Sequence, residues 1–213
     1  PPVRGHRGNP GMAGGSVRNR QSYGSAYGVA SKETGKPIDG DTLFEIGSVS
    51  KTFTATLASY AQVGGQLSLS DSASKYLPSL HGSSFDKVTL LHLGTHTSGG
   101  LPLQVPNEIK NDDQLMRYFQ NWKPTYAPGT YRVYSNPSIG LLGVIAAKSM
   151  KENFVALMEG KLFPALGIKS TWPNVPTARL GHYAQGYTER NPPRRMTPGV
   201  PAATASAART NAV

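Results

Sequence analysis

The 213-residue chain contains no cysteine. No disulfide or thiolate metal site can therefore hold it together, and redox compartment stays open, since a disulfide-free protein works in cytoplasm or periplasm alike. No apolar run approaches the ~20 residues that a membrane span needs, so membrane insertion is not expected. The chain opens Pro-Pro-Val-Arg, with no basic start followed by an apolar stretch; any export signal is expected to be absent from it or already removed. Acidic residues are scarce: 12 Asp and Glu face 22 Lys and Arg, for a net charge of +10. The excess is not spread over the chain. Residues 1–20 carry four Arg and no acid, residues 21–160 carry eleven of each sign, and residues 161–213 carry seven bases and one acid. A neutral body with basic ends lacks the basic stripe interleaved with aromatics that a nucleic-acid groove requires, so no nucleic-acid partner is expected.

What is abundant is glycine and proline, 24 and 17 residues beside a hydrophobic content of 38%. That composition reads as globular and loop-rich, and the length suits one domain or two small ones. Residues 1–25, rich in Gly and Arg without apolar alternation, read as irregular. Residues 26–46 suggest a short strand or hairpin with a turn near Thr34-Gly35-Lys36-Pro37. A helical period is expected from about 49 to 63, where Phe53, Leu57, Tyr60 and Ala61 recur on one face before Gly64-Gly65. Further helices are expected at 89–95, 112–122, 137–149 and 152–166, the last with Phe154, Leu157, Met158 and Leu162 on one face. Asn136 before Pro137 resembles an N-cap followed by proline at the first helical position. Residues 97–108 and 123–135 read as loops between helices. Periodicity is lost from 170 onward.

The chemistry centres on Gly-Ser-Val-Ser-Lys at 47–51. Residues three apart on a helix lie about 60° apart around the axis and about 4.5 Å along it, so Ser48 and Lys51 share a face while Ser50 points elsewhere. A lysine so placed steers the serine proton, and a helix N-terminus offers N–H groups where an oxyanion would develop. The spacing alone is unspecific, since it recurs at Ser72-Ala-Ser-Lys75, taken as a turn into a short helix. A partner is offered by Tyr134-Ser135-Asn136. A tyrosine beside a lysine can act as a general base and an asparagine can hold a substrate carbonyl; equally, the pair can be a packed ring and a helix cap. His92 and His96, at i, i+4 spacing, raise zinc binding as a rival. No Glu follows His92 and no third ligand is evident, so buried or capping histidines are favoured and no metal is expected. Trp122 and Trp172 read as packing residues.

Three segments, TLFEIGSVSKTFTATL at 42–57, TSGGLPLQVP at 97–106 and YAPGTYRVYSNPSIGLLG at 126–143, closely resemble the class C serine β-lactamases, the periplasmic cephalosporinases. Order and spacing agree over about residues 26–200, with PGMA at 10–13 as an outlying match. The resemblance implies an α/β plus all-α fold, the serine β-lactamase and penicillin-binding-protein transpeptidase-like fold. It also implies a domain division: residues 1–47 as the start of the α/β domain and 48–213 as the helical domain. By the same resemblance Ser48 is the nucleophile that attacks the β-lactam carbonyl, with its backbone N–H as half of the oxyanion hole. Lys51 helps to activate it, and Tyr134 transfers protons in acylation and deacylation. Asn136 contacts Lys51 and the substrate side chain, and Gln104 makes a second side-chain contact. The implied protein needs no cofactor, takes a small β-lactam as its partner, is monomeric and works in the periplasm, where it confers antibiotic resistance. A D-Ala-D-Ala peptidase or esterase of the same fold, or an inactive β-lactam-binding fragment, is the alternative.

The chain departs from the family in three places. Gly14-Gly15-Ser16-Val17-Arg18-Asn19-Arg20 stands where an apolar strand is usual and is not expected to bury both faces of a sheet. Residues 201–208 read PAATASAA, with Ser206 in place of an aromatic, before Arg209-Thr210-Asn211 resumes the pattern. Family spacing with foreign residues at both ends suggests reading-frame slips in a partial gene sequence. Finally, no Lys, His or Arg is followed by Ser or Thr and then Gly; Lys32-Glu-Thr-Gly has an intruding residue. The strand that would bear Lys-Thr-Gly supplies the carboxylate-binding lysine and the second oxyanion N–H, so the fold is expected to be incomplete, its C-terminal sheet strands missing.

Overall fold

A computed structural model describes residues 10–187. They form two compact units: residues 10–46 with 170–187, and residues 47–169. The described part of 170–213 therefore groups with the N-terminal segment rather than with the helical unit, to which the sequence reading had assigned everything after residue 47. Backbone pairing is the cause. Leu43 bridges Tyr183 in parallel, Ala184 N–H donates to Leu43 O at 2.8 Å, and Gln185 N–H donates to Ala30 O at 2.8 Å. Residues 201–208 lie outside the described residues.

In the first unit, β1 (Gly11–Arg18) pairs antiparallel with β2 (Gln21–Gly28). Residues 11–25 are thus a hairpin and not irregular. Asn19 and Arg20 carry φ of 51° and 63°, both left-handed, as a two-residue turn of the primed type requires. Backbone hydrogen bonding makes the ladder where the side chains supply little burial: Val17, Tyr23 and Tyr27 are exposed. The hairpin expected over 26–46 is reduced to β2's end and isolated bridges, though the turn at Gly35 is present, with Ala30 N–H donating to Lys36 O.

The second unit is helical. α1 (Ser50–Val63) buries Ser50, Thr54, Leu57, Ala58 and Ala61, and leaves Tyr60 exposed. The apolar face is therefore turned slightly from the expected one. α2 (Ala73–Tyr76) and α3 (Leu90–Gly94) are short. α4 (Asp112–Asn121) begins on Asn111, whose side chain accepts from Gln114 N–H, and carries Asp112 and Asp113 in its first turn, where the helix dipole favours anions. α5 (Asn136–Ser149) is buried nearly all round and is the central post of the unit. Its cap is Ser135, not Asn136: the Ser135 hydroxyl accepts from Ser138 N–H, which moves Pro137 one position further in.

The helix expected over 152–166 is interrupted. α6 (Phe154–Leu157) is capped by Asn153, a π turn spans Met158–Leu162, and α7 (Phe163–Ala165) contains Pro164, which has no N–H to continue a ladder. Leu157, Met158 and Leu162 are nevertheless buried as expected. One core joins these elements, with Leu57, Leu93, Leu142, Ile145, Leu157 and Phe163 at its centre. Each such side chain contributes roughly 1.5–3 kcal/mol by leaving water. Trp122 packs on Phe85 with ring centroids 5.4 Å apart, as a core residue. The segments 97–108 and 123–135 are loops, and no described helix is long and apolar enough to cross a membrane.

Candidate active site

A single 3-10 turn, Gly47–Val49, leads into α1. Gly47 has φ of 52°, and an added Cβ there would meet open space, so its backbone conformation and not crowding favours glycine. Ser48 follows and is exposed; Lys51 is the second residue of α1. The Lys51 Nζ donates to Ser48 Oγ at 3.0 Å. Ser50 is 3% exposed and its hydroxyl donates to Gly47 O at 2.6 Å. Geometry thus separates the two serines as the helical spacing predicts.

Tyr134 reaches the same pair from the 123–135 loop. The Lys51 Nζ lies 5.2 Å and the Arg132 guanidinium 5.9 Å from the centre of its ring. Burial pushes the phenol's pKa up, but hydrogen bonds to Ser48 and Lys51, with the positive charges of Lys51 and Arg132, outweigh it and hold the phenol below its ordinary value. A serine hydroxyl hydrogen-bonded to an ammonium therefore stands beside an acidified phenol. That arrangement can take a proton from an attacking serine and return it to a leaving group.

Asn136 stands at the first position of α5, and its N–H donates to Leu103 O at 3.0 Å. Its side-chain oxygen is buried and accepts no hydrogen bond, so the contact with Lys51 implied by the resemblance is not made; the ammonium donates to Ser48 instead. Gln104, next to Leu103, is exposed. The backbone bond between Leu103 and Asn136 ties its loop to the start of α5, but the Gln104 side chain does not join the Ser48, Lys51 and Tyr134 cluster.

Two residues that the sequence did not single out for this site stand beside it, Arg132 and His96. The His96 ring packs on Tyr134 at 4.6 Å, and its Nδ1 accepts from Ser135 N–H at 3.2 Å. His92 Nδ1 accepts from Thr89 N–H at 3.2 Å, half of a reciprocal cap on α3. Burial lowers the pKa of both imidazoles; at His96 the charges of Arg132 and Lys51 add to it. Each histidine thus has its Nδ1 committed to backbone, one as a cap and one buried. Among the described residues no group of three or more His, Asp or Glu could hold a metal. Arg132 could have been noticed two positions before Tyr134; nothing local marks a cation there.

The second tetrad, Ser72 to Lys75, is built differently. The Lys75 Nζ donates to Asp71 Oδ2 at 2.8 Å, and the Tyr76 hydroxyl donates to the same oxygen at 2.6 Å. The hydrogen bond it donates to Asp71 raises the lysine's pKa, while burial and then the bond to Asp71 raise the tyrosine's. Both groups hold their protons more tightly than usual.

The family model described as Beta-lactamase matches residues 2–212. A beta-lactamase of Lysobacter lactamgenus is 56% identical over 191 residues, covering 89% of this chain and 49% of that protein. A beta-lactamase of Escherichia coli K12 is 46% identical over 180 residues, covering 84% and 48%. Among solved structures, a class C beta-lactamase superposes with a TM-score of 0.90 at 45% identity, covering 95% of this chain and 56% of that one. A D-alanine carboxypeptidase from Burkholderia cenocepacia superposes at 0.84 with 55% identity, covering 95% and 55%. The chain spans about half the length of the curated relatives it matches, so the fold is an incomplete serine β-lactamase fold. By these matches the chain belongs to the beta-lactamase family.

Proposed function

We propose that the protein hydrolyses the amide of β-lactam antibiotics through an ester on Ser48, as a cephalosporinase-type serine β-lactamase. One observation carries the reading: Lys51 Nζ donates to Ser48 Oγ at 3.0 Å and lies 5.2 Å from the centre of the Tyr134 ring. In acylation, Ser48 Oγ forms a bond to the lactam carbonyl carbon while its proton passes to the deprotonated Tyr134 oxygen, with the Lys51 ammonium beside it holding that charge. The C–N bond of the ring breaks and the departing nitrogen takes a proton from Tyr134. Water then attacks the ester, gives its proton back through Tyr134, and releases the Ser48 hydroxyl. The Ser48 N–H donates to the carbonyl oxygen as negative charge grows there. Asn136, with its unpartnered buried oxygen, is the candidate to receive an N–H from the substrate side chain, and Gln104 supplies a second polar contact. The periplasm is the compartment this activity serves, with the protein acting there as a monomer without metal or cofactor, and antibiotic resistance is its outcome for the cell.

The likeness to a D-alanine carboxypeptidase favours a second reading, release of the terminal D-alanine from a D-Ala-D-Ala peptide by the same groups. Turnover of a chromogenic cephalosporin, measured beside D-alanine release, separates the two. The first reading expects cephalosporin hydrolysis that Ser48→Ala abolishes. Hydrolysis unchanged in Ser48→Ala would refute it, and a stable adduct without turnover would reduce the protein to a β-lactam binder.

A further inference from the structure

We infer that His96 is a positioning residue for Tyr134, holding the tyrosine by its two flanking peptide groups and its ring so that the phenol meets Ser48 and Lys51. The inference rests on the reading of Tyr134 as the proton-transfer group. Three contacts carry it. The His96 carbonyl accepts from Val133 N–H at 2.9 Å, and His96 Nδ1 accepts from Ser135 N–H at 3.2 Å. Between those two bonds the imidazole lies on the Tyr134 ring, with centroids 4.6 Å apart and planes at 37°. One residue thus touches the positions before, at and after the tyrosine.

The way His96 is held suits that task. It is 7% exposed, and its φ of 62° is left-handed, a conformation that a non-glycine residue keeps only where its surroundings fix it. The surroundings are the junction of two helices. His96 comes two residues after α3, whose Leu93 carbonyl accepts from the Ser138 hydroxyl at 2.9 Å, in the first turn of α5. The Ser135 hydroxyl caps that same turn. Ser135 therefore receives α5 with its hydroxyl and gives its N–H to His96, and Tyr134 is the next residue back.

The contact fixes a protonation state. A nitrogen that accepts an N–H carries no proton of its own, so the imidazole is neutral with its hydrogen on Nε2. Burial, and then the positive charges of Arg132 and Lys51, which also stand by the Tyr134 ring, oppose protonation. Tyr134 is thus packed against a neutral ring, so the positive charges that acidify it are Lys51 and Arg132 alone among its ring contacts.

Two variants separate acceptor from bulk. His96→Phe keeps a ring against Tyr134 but removes the acceptor. His96→Asn keeps an oxygen at the Nδ1 position and is tolerant of positive φ, but removes the ring. In β-lactam turnover, His96→Phe is expected to lower kcat roughly 10- to 100-fold, the scale of an ångström-sized misplacement, with KM within about twofold. His96→Asn is expected to recover all but a few-fold of that loss. Amide exchange at Ser135 should quicken at least about tenfold in His96→Phe and stay near parental in His96→Asn, a factor of ten being the loss of one ordinary hydrogen bond. Parental kcat in His96→Phe would overturn the inference, as would equal losses in both variants that follow their melting temperatures. If the parent protein itself shows no turnover, the β-lactam reading fails instead; unchanged Ser135 exchange in His96→Phe would still refute the clamp.

Discussion

Two stretches of this chain share the same letters and differ in one residue that matters. Gly47-Ser48 with Lys51, and Asp71-Ser72 with Lys75, each pair a serine with a lysine three positions on, and each lysine has a tyrosine within hydrogen-bonding reach of the group it contacts. In the second, a carboxylate precedes the serine and takes both the ammonium and the phenol. In the first the preceding residue is glycine. Among the described residues no carboxylate lies within salt-bridge distance of Lys51, and the tyrosine's charged ring contacts are cations. The same tetrad is therefore a surface latch beside an acid and, on the proposed reading of Ser48, a proton-transfer device without one. The Asp71 carboxylate keeps the Lys75 and Tyr76 protons in place, whereas Tyr134, held below its ordinary pKa beside two cations, is the group that can lose its proton and accept one from a serine.

The largest way to break the comparison is to remove each serine. Ser48→Ala is expected to lower β-lactam kcat by on the order of 10⁴- to 10⁶-fold, as loss of a nucleophile does in serine hydrolases, while Ser72→Ala stays within about twofold of the parent. Next come the tyrosines. Tyr134→Phe should cost roughly 10²- to 10⁴-fold in kcat, the range of general acid–base catalysis, and Tyr76→Phe should leave kcat unchanged. A sharper test moves the acid. Gly47→Asp places a carboxylate four residues before Lys51, as Asp71 stands to Lys75; Gly47→Asn imposes the same left-handed backbone without the charge. Steady-state turnover is expected to fall roughly tenfold further in Gly47→Asp than in Gly47→Asn, and equal losses would count against the role given to the acid.

The smaller effects concern pH. A phenol held below its ordinary pKa is the proton acceptor only above that lowered value, so kcat/KM should rise with pH through it. Arg132→Gln removes one of the cations that lower it, and should move this rise to higher pH. In the second tetrad, Lys75 and then Tyr76 hold the Asp71 carboxyl below the usual carboxylate range. That contribution to stability is fully present above the ordinary aspartate pKa of about 3.9 and fades as pH falls through the lowered value. A melting-temperature deficit in Asp71→Asn should thus be present at pH 7 and shrink in acid, while activity at pH 7 is unaltered.

Much of this was legible in the sequence because helical spacing is a local property. The choice of Ser48 over Ser50 and the helices from Ser50, Asp112 and Asn136 follow from residues within four positions of each other. What was missed depends on distant partners or on backbone. The hairpin over 11–28 forms on hydrogen bonds and a left-handed Asn19-Arg20 turn, neither of which leaves an apolar alternation to read. The cap of α5 went to Ser135, since an Asn-Pro start and a Ser cap one residue earlier look alike in a list of polar residues. The role of His96 was hidden because i, i+4 spacing suggests a shared helix face, whereas α3 ends at Gly94 and His96 turns left-handed beyond it.

The central claim is that chemistry resides at Ser48 and not at its look-alike. The direct measurement is the mass of the protein quenched in acid during exposure to a slowly released β-lactam, followed by mapping of the modified peptide. One adduct, on the peptide bearing Ser48 and absent from Ser48→Ala, is the predicted result. An adduct on the peptide bearing Ser72, or one that persists in Ser48→Ala, would contradict the account.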